Sequence, residues 1–235
     1  MRRLAGELRG ELPRGRLEPV PGHPGLRNVV GTLPGPGPAL LIGAHYDTEF
    51  HPRGFVGAND GAAGTAAVIE LARALRRELP AGHREVRFVL FDGEEEPPGC
   101  ADADFARCGL RGSTAYARAH AGELGEMVLL DYIAGRDELI RREGNSDPAL
   151  WGRLLASADR VGAQGTFSGQ EQVALLDDHY PFIVRGLPAI DLIDFSYPYR
   201  DTVEDTPEKL TVESIDAVGE AVTELALELA SPGEG

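Results

Sequence analysis

The chain has 235 residues, of which 42% are hydrophobic and 26% charged, and its formal net charge is −15 at pH 7. These values are typical of one globular domain with a single large core. The acidic balance argues against nucleic acid as a partner, because phosphates attract clustered lysine and arginine. No apolar run is long enough to cross a bilayer, so we expect no membrane partner either. Acidic charge focused in a cleft would favour metal ions and protonated peptide amino termini.

The first 25 residues are rich in proline, glycine and arginine. They predict an irregular arm, residues 1–25, that packs on a catalytic domain formed by residues 26–231. The start of the chain carries basic residues but lacks the apolar stretch of a secretory signal. We therefore expect a cytoplasmic protein, or a secreted one if a leader has been removed.

From residue 28 onward, apolar strand-like runs alternate with amphipathic helical patterns. The second run is uniformly apolar, as expected of a strand covered on both faces, and the clearest helix ends at Pro80. The predicted strands cover residues 28–33, 39–44, 86–91, 127–131 and 189–193, and the predicted helices cover residues 62–79, 113–120, 148–160 and 212–229. This alternation predicts a single three-layer α/β/α domain with a mixed, mostly parallel sheet.

Side chains of the types that bind metal ions follow several of these strands, where open α/β sheets build their sites. The set consists of His45, Asp60, Glu94, Glu95 and Asp131. A hydrolytic metal site needs ligands that converge from different loops and a further carboxylate that acts as a base. The set offers both.

Each of these side chains also has a simpler interpretation. His45 alone would cap a strand end by hydrogen bonding. With Asp47 two residues later, it could instead be a metal ligand whose imidazole is held in place by the Asp47 carboxylate. Asp60 alone would cap the helix that follows it, and the acidic run at residues 92–96 would be a solvated loop. Carboxylates crowded directly after a buried strand repel one another unless a cation or solvent offsets their charge. Taken together, the residues favour a metal site.

These segments, in this order across residues 28–225, resemble the zinc aminopeptidase family of co-catalytic exopeptidases and, within it, the glutaminyl cyclase branch. The resemblance implies a zinc-dependent enzyme that acts on peptide amino termini. It implies that the ligands include His45, Asp60, Glu95 and Asp131, and that Glu94 is the general acid/base.

The segment that begins with Asp177 and Asp178 also resembles the carboxy-terminal part of the family. From it we take Asp178 as a further catalytic candidate, together with Asp131 as a strand-end carboxylate. The alternative is that these residues cap a helix or line the site.

The branch is less sharply indicated than the family. Residues 55–58 and 91–93 are similar to the cyclases, whereas residues 59–64 are closer to the aminopeptidases. The resemblance implies two zinc ions for an aminopeptidase. It implies one zinc ion for an animal-type cyclase, in which the histidine that matches His45 is not a ligand, so one or two ions are expected. Hydrolysis of amino-terminal residues is the alternative activity.

The resemblance breaks at Asp201, where the family has a histidine ligand. A carboxylate oxygen binds zinc at a distance similar to that of an imidazole nitrogen, so Asp201 stays a predicted ligand. A cyclase-type set of Asp60, Glu95 and Asp201 contains only oxygen ligands, which also suit Mn, Mg or Ca. Alternatively, Arg200 folds into the acidic cluster in place of a cation and leaves a catalytically silent domain. Because the other site residues are intact, the sequence favours the enzyme.

The chain contains two cysteines, Cys100 and Cys108, on either side of a short polar insertion. They could form a loop disulfide. Free thiols are the expectation for a cytoplasmic protein.

Overall fold

The computed structural model describes residues 2–232, with the side chains of residues 2 and 102 left aside. The strands are β1 Arg16–Pro19, β2 Arg27–Leu33, β3 Ala39–His45, β4 Val86–Phe91, β5 Leu124–Asp131, β6 Ile140–Arg142, β7 Phe167–Glu171 and β8 Ala189–Ile193. The helices are α1 Arg2–Glu11, α2 Gly64–Glu78, α3 Phe105–Cys108, α4 Arg111–His120, α5 Pro148–Val161, α6 Tyr180–Ile183 and α7 Val212–Ala230.

Six strands form the central sheet in the order β1-β2-β4-β3-β5-β8. The pairings β4–β3, β3–β5 and β5–β8 are parallel, whereas β1–β2 and β2–β4 are antiparallel. The predicted mixed, mostly parallel sheet is therefore confirmed. Strands β6 and β7 form a separate parallel pair.

Alternation along the strands divides the core into two layers, as the period of two in a strand requires. In β3, Leu40 and Ile42 face a large cluster with residues of α1, α2, α5 and α7. Leu41 faces the opposite cluster, which contains Tyr116 of α4 and Phe182 of α6. The sheet thus lies between two helical layers, which is the predicted three-layer arrangement.

The prediction of an irregular arm over residues 1–25 is wrong, because α1 and β1 lie within it. Ala5 and Leu12 of this segment are buried in the main core and Leu8 packs against it. Their helical spacing outweighs the cost of the two helical glycines. Met1 lies outside the described residues.

Two further expectations differ from the structure. The helix predicted over residues 62–79 begins later, at Gly64, because Asp60 and Gly61 have non-helical backbone angles inside a wide turn, Ala58–Ala63. Cys100 and Cys108 are paired in a disulfide rather than free. The chain brings the two cysteines together across the short helix α3, a proximity that their spacing alone does not establish.

Among residues 2–232, no helix combines the length and apolar character needed to span a membrane.

Candidate active site

The candidate site lies at the carboxyl ends of three neighbouring parallel strands. β3 ends at His45, and β4 on one side of it leads into Glu94 and Glu95. β5 on its other side ends at Asp131. The strand order therefore places the imidazole between the two sets of carboxylates, as expected for a site at the strand ends of an open α/β sheet.

The His45 side chain is buried and lies between two carboxylates. Its Nε2 atom is 3.0 Å from Oδ1 of Asp60 and 3.4 Å from Oδ1 of Asp131. The other ring nitrogen, Nδ1, is 3.8 Å from Oδ1 of Asp47, which is too long for a hydrogen bond. One imidazole nitrogen and two carboxylate oxygens from different loops form a set of donors that suits a divalent cation.

Asp47 has a different role from the one suggested by its spacing. Its carboxylate accepts hydrogen bonds from the backbone N–H groups of Glu94, at 3.2 Å, and Glu95, at 3.3 Å. It therefore fixes the paired glutamates after β4 rather than the His45 ring. These two hydrogen bonds join the loop after β3 to the loop after β4. The local spacing of His45 and Asp47 cannot reveal such a link.

Asp60 lies on the wide turn before α2 and does not cap that helix; its carboxylate faces His45 instead. The turn is held by the buried Asp205. The Asp205 carboxylate accepts hydrogen bonds from the backbone N–H groups of Asn59, at 3.0 Å, and Asp60, at 3.1 Å, and from the Tyr197 hydroxyl. Sequence reasoning missed this support, since it joins residues 145 positions apart.

Asp201, the residue in place of the family histidine, lies at the edge of the site with 44% of its side chain exposed. The Tyr132 hydroxyl lies 2.7 Å from Oδ2 of Asp60 and 3.0 Å from Oδ1 of Asp201 and so joins the two carboxylates. The Arg200 guanidinium pairs with Oδ2 of Asp201 at 2.8 Å and stacks on the Phe195 ring. It therefore neutralises the outer carboxylate.

Several triads of side chains bring their ligand atoms within 4.8 Å of one another, and two of them share Asp60. Asp60 belongs to one triad with His45 and Asp131. It belongs to a second triad with Glu49 and Asp201. Glu94 and Glu95 form a further triad with His45. Glu49 was missed in the sequence because it follows no strand directly.

Burial makes this cluster hold protons unusually tightly when no cation is bound. Desolvation, and then the charge of Glu95, raise the pKa of Glu94 well above its ordinary value. Desolvation and the charge of Asp60 raise the pKa of Glu95 to about 11. Burial also raises the pKa of Asp131 to about 7, although its hydrogen bond with His45 opposes the shift. Burial lowers the pKa of His45, but the surrounding carboxylates outweigh it and the net pKa is raised.

The donor set fits a divalent metal ion. The Oε1 atom of Glu95 is buried and, among the described residues, has no hydrogen-bond partner. The double positive charge of such an ion would offset the repulsion between the crowded carboxylates, so that they need not be protonated. Two donor groups that share one aspartate match the general pattern of a bridging carboxylate.

The site opens into a cavity of about 780 Å³. Its acidic lining comprises Glu49, Asp60, Glu94, Glu95, Glu96, Asp131, Asp177 and Asp201, and its apolar lining includes Phe50, Phe105, Leu175, Leu176, Ile193 and Phe195. Asp178 is completely buried, whereas the neighbouring Asp177 lines the cavity. Such a cavity, acidic at its floor and apolar at its walls, suits a cationic group attached to an apolar or extended chain.

Several known proteins are similar to this chain in sequence or in fold. The glutaminyl-peptide cyclotransferase of Gloydius blomhoffii is 28% identical over 253 residues, which cover 90% of this chain and 68% of that protein. The crystal structure of a glutaminyl cyclase from an Acidobacteriales bacterium is 29% identical in sequence to this chain and superimposes with a TM-score of 0.81. The alignment covers 92% of this chain and 80% of the cyclase chain.

A Zn-dependent exopeptidase from Parabacteroides distasonis, at 22% identity, shares the fold with a TM-score of 0.82 over 96% of this chain and 89% of its own. The predicted three-layer α/β fold is thereby confirmed. The sequence model of peptidase family M28 matches residues 28–226. The chain therefore belongs to peptidase family M28, and its similarity to glutaminyl cyclases favours that branch of the family.

Proposed function

We propose that the protein is a zinc-dependent glutaminyl cyclase that acts on peptides with an amino-terminal glutamine. The observation that carries the proposal is the position of Glu94, a buried carboxyl group beside the donor set and on the wall of the cavity. A carboxylate held next to the reacting atoms can accept a proton from the substrate and return it. The similarity to several glutaminyl-peptide cyclotransferases supports the choice of reaction.

In this reaction the α-amine nitrogen attacks the side-chain amide carbon of the glutamine, the C–NH₂ bond breaks and ammonia leaves. Glu94 accepts the proton of the attacking amine and returns it to the departing nitrogen. A divalent ion held by His45, Asp60, Glu95 and Asp131, with Asp201 at the rim, would polarise the amide carbonyl. The acidic cavity attracts the protonated amino terminus before it loses its proton.

Of the two neighbouring aspartates, we propose Asp177 rather than Asp178 for contact with the substrate. Asp177 lines the cavity, and its charge contributes to the raised pKa of Glu94. Asp178 is fully buried behind it, so we propose that it shapes the electrostatics of the site without touching the peptide.

The second candidate function is an aminopeptidase. The observation in its favour is the contact of His45 with Asp60 and Asp131, together with the second triad that shares Asp60. Two groups of donors around one aspartate suit a pair of metal ions. In this case Glu94 would take a proton from the attacking water, and the first peptide bond would break.

A mass-spectrometric assay of the purified chain on a Gln-initiated and a Leu-initiated peptide tests both functions. We expect the Gln peptide to lose one ammonia without cleavage and the Leu peptide to remain intact. Release of free leucine would establish the aminopeptidase instead. An absence of both reactions in protein that contains zinc would contradict the proposal, and an inactive, metal-free protein would favour the silent domain.

The variant Glu94→Gln should lower kcat by about 10²–10⁴-fold, because the side chain loses its ability to carry the proton. The matched control is Glu96→Gln, which alters a half-buried carboxylate on the same cavity wall. We expect that control to retain activity within a few-fold. Equal losses in the two variants would show that charge in the cavity, not proton transfer by Glu94, limits the reaction.

A further inference from the structure

A second cluster of buried side chains joins the segment before α6 to the edge strand β8. It contains Asp177, His179 and Asp191, and each offers a ligand atom within 4.8 Å of the others. His179 and Asp191 are completely buried, and Asp177 is 5% exposed. The main site uses neither His179 nor Asp191.

Four polar atoms of this cluster have no hydrogen-bond partner among the described residues. Both carboxylate oxygens of Asp191, Oδ2 of Asp177 and Nδ1 of His179 are buried without a hydrogen-bond partner. Asp177 and Asp191 lie close enough to share a proton, and two carboxylates approach each other only if a proton or a cation lies between them. A proton or a cation is therefore required between these two side chains.

The surroundings prepare His179 to act as a ligand. Its Nε2 atom lies 2.9 Å from Oε2 of the buried Glu143. Glu143 also accepts hydrogen bonds from the backbone of Asn145 and Leu175 and from the Ser146 hydroxyl, and such bonds keep a carboxylate ionised. A neutral histidine that donates a hydrogen bond from Nε2–H to a carboxylate has a lone pair at Nδ1. This arrangement is typical of metal-bound histidines.

The distances suit a shared ion better than a direct contact. Nδ1 of His179 and Oδ2 of Asp191 are 3.8 Å apart, too far for a hydrogen bond. This separation is compatible with two ligands that each lie about 2.0–2.2 Å from one zinc ion. Two carboxylates also balance the charge of a divalent cation, and Asp177 connects the cluster to the cavity as an entry path.

We propose that Asp177, His179 and Asp191 form a further divalent-cation site of the zinc type, which adjoins the main site because Asp177 also lines its cavity. An ion there would tie the cavity wall at residues 174–177 to β8. The proposal does not depend on which reaction the main site catalyses.

Anomalous diffraction from crystals of the full chain grown with zinc tests the site directly, with data collected on both sides of the zinc absorption edge. We expect a peak bounded by Nδ1 of His179 and the carboxylates of Asp177 and Asp191. Asp177 and Asp191 at hydrogen-bond distance with no peak would show a shared proton and overturn the proposal. A peak only at His45 and Asp60 would support a metal-dependent main site and still overturn it. A peak only at Asp191 would support this site and count against metal in the main one.

Zinc binding in solution provides a second test that needs no activity. In the background Asp60→Asn with Glu95→Gln, the chain should retain about one zinc ion by elemental analysis. Adding His179→Gln should remove it, whereas adding Glu143→Gln should weaken zinc affinity by about 10–100-fold.

The matched control in the same background is Glu138→Gln, which changes a different buried carboxylate, 8% exposed, outside the cluster. It should retain the ion, and circular dichroism should show all variants folded. Zinc affinity that is unchanged by His179→Gln would overturn the proposal even if no crystals were obtained.

Discussion

Asp205 supports the candidate site from behind, by orienting the backbone on which Asp60 lies. It is fully buried and uses both carboxylate oxygens, one toward the N–H of Asp60 and the other toward the Tyr197 hydroxyl, and both lie 3.0 Å from the N–H of Asn59. Neutral asparagine has one acceptor oxygen and would turn an amide donor toward one of these donors. The position of the proposed bridging carboxylate therefore depends on a residue more than a hundred positions away.

We predict that Asp205→Asn weakens zinc affinity by about 10–100-fold and lowers the free energy of unfolding by about 1–3 kcal/mol. Competition with a chelator and urea unfolding measure the two effects. The control Glu204→Gln changes the adjacent exposed carboxylate and should alter neither. A stability loss with unchanged zinc affinity would show that the turn does not control the ligand.

The residues of the site that follow strands were predictable, because strand ends gather at one edge of a parallel sheet. The contacts between loops were not predictable: the hydrogen bonds of Asp47, Tyr132 and Asp205 depend on tertiary packing. Asp191 carried a signal that was overlooked. A carboxylate in the middle of an otherwise apolar, fully buried strand requires a partner.

At the scale of elements, the approach of α2 to the sheet depends on Gly64. A β-carbon added there would lie 2.3 Å from the backbone oxygen of Leu130 in β5, well inside van der Waals contact. The first turn of α2 thus packs directly on the strand that ends at Asp131. This close contact helps to bring Asp60, just before the helix, toward His45.

We predict that Gly64→Ala destabilises the fold by about 1–3 kcal/mol, because α2 or β5 must move to accommodate the methyl group. The control is Gly219→Ala in α7, where an added β-carbon meets no atom within 4 Å. It should stabilise the protein by roughly 0.5–1 kcal/mol through helix propensity. Thermal unfolding of both variants measures the difference, and equal effects would contradict the packing argument.

Helices and strands could be predicted from the sequence where the pattern of apolar residues was clear. The predicted strands 86–91 and 189–193 coincide with β4 and β8, since both are short apolar runs bounded by turn residues. Helix α1 was missed because its glycines and arginines obscured a short apolar stripe. The order of the strands, with β4 between β2 and β3, follows from long-range pairing that no local pattern specifies.

At the scale of the whole molecule, buried carboxyl groups make stability depend on pH. Besides the site, Glu138 is buried near Asp194, and desolvation, followed by the charge of Asp194, raises its pKa from 4.5 to about 9. Between these values the folded chain holds a proton that the unfolded chain has lost. Unfolding therefore releases a proton, and stability falls as the pH rises through this window.

We predict that Glu138→Gln flattens this dependence. Between about pH 5 and pH 9, the slope of unfolding free energy against pH should become less negative by up to about 1.4 kcal/mol per pH unit. Urea unfolding at several pH values measures the slope in both proteins. Parallel curves for the wild type and the variant would show that Glu138 is ionised in the folded protein.

The sheet also determines which parts of the metal centre are open to change. Neighbouring parallel strands lie about 4.8 Å apart, so β4, β3 and β5 fix the spacing of the groups at their ends as a rigid frame. Asp60 and Asp201 lie outside that frame. Asp60 is buried and its turn is held by Asp205, whereas Asp201 lies on a loop and is half exposed. In the proposed metal centre, Asp201 is therefore the ligand position that can change with the least effect on the others, and an aspartate in place of histidine is an exchange of this kind.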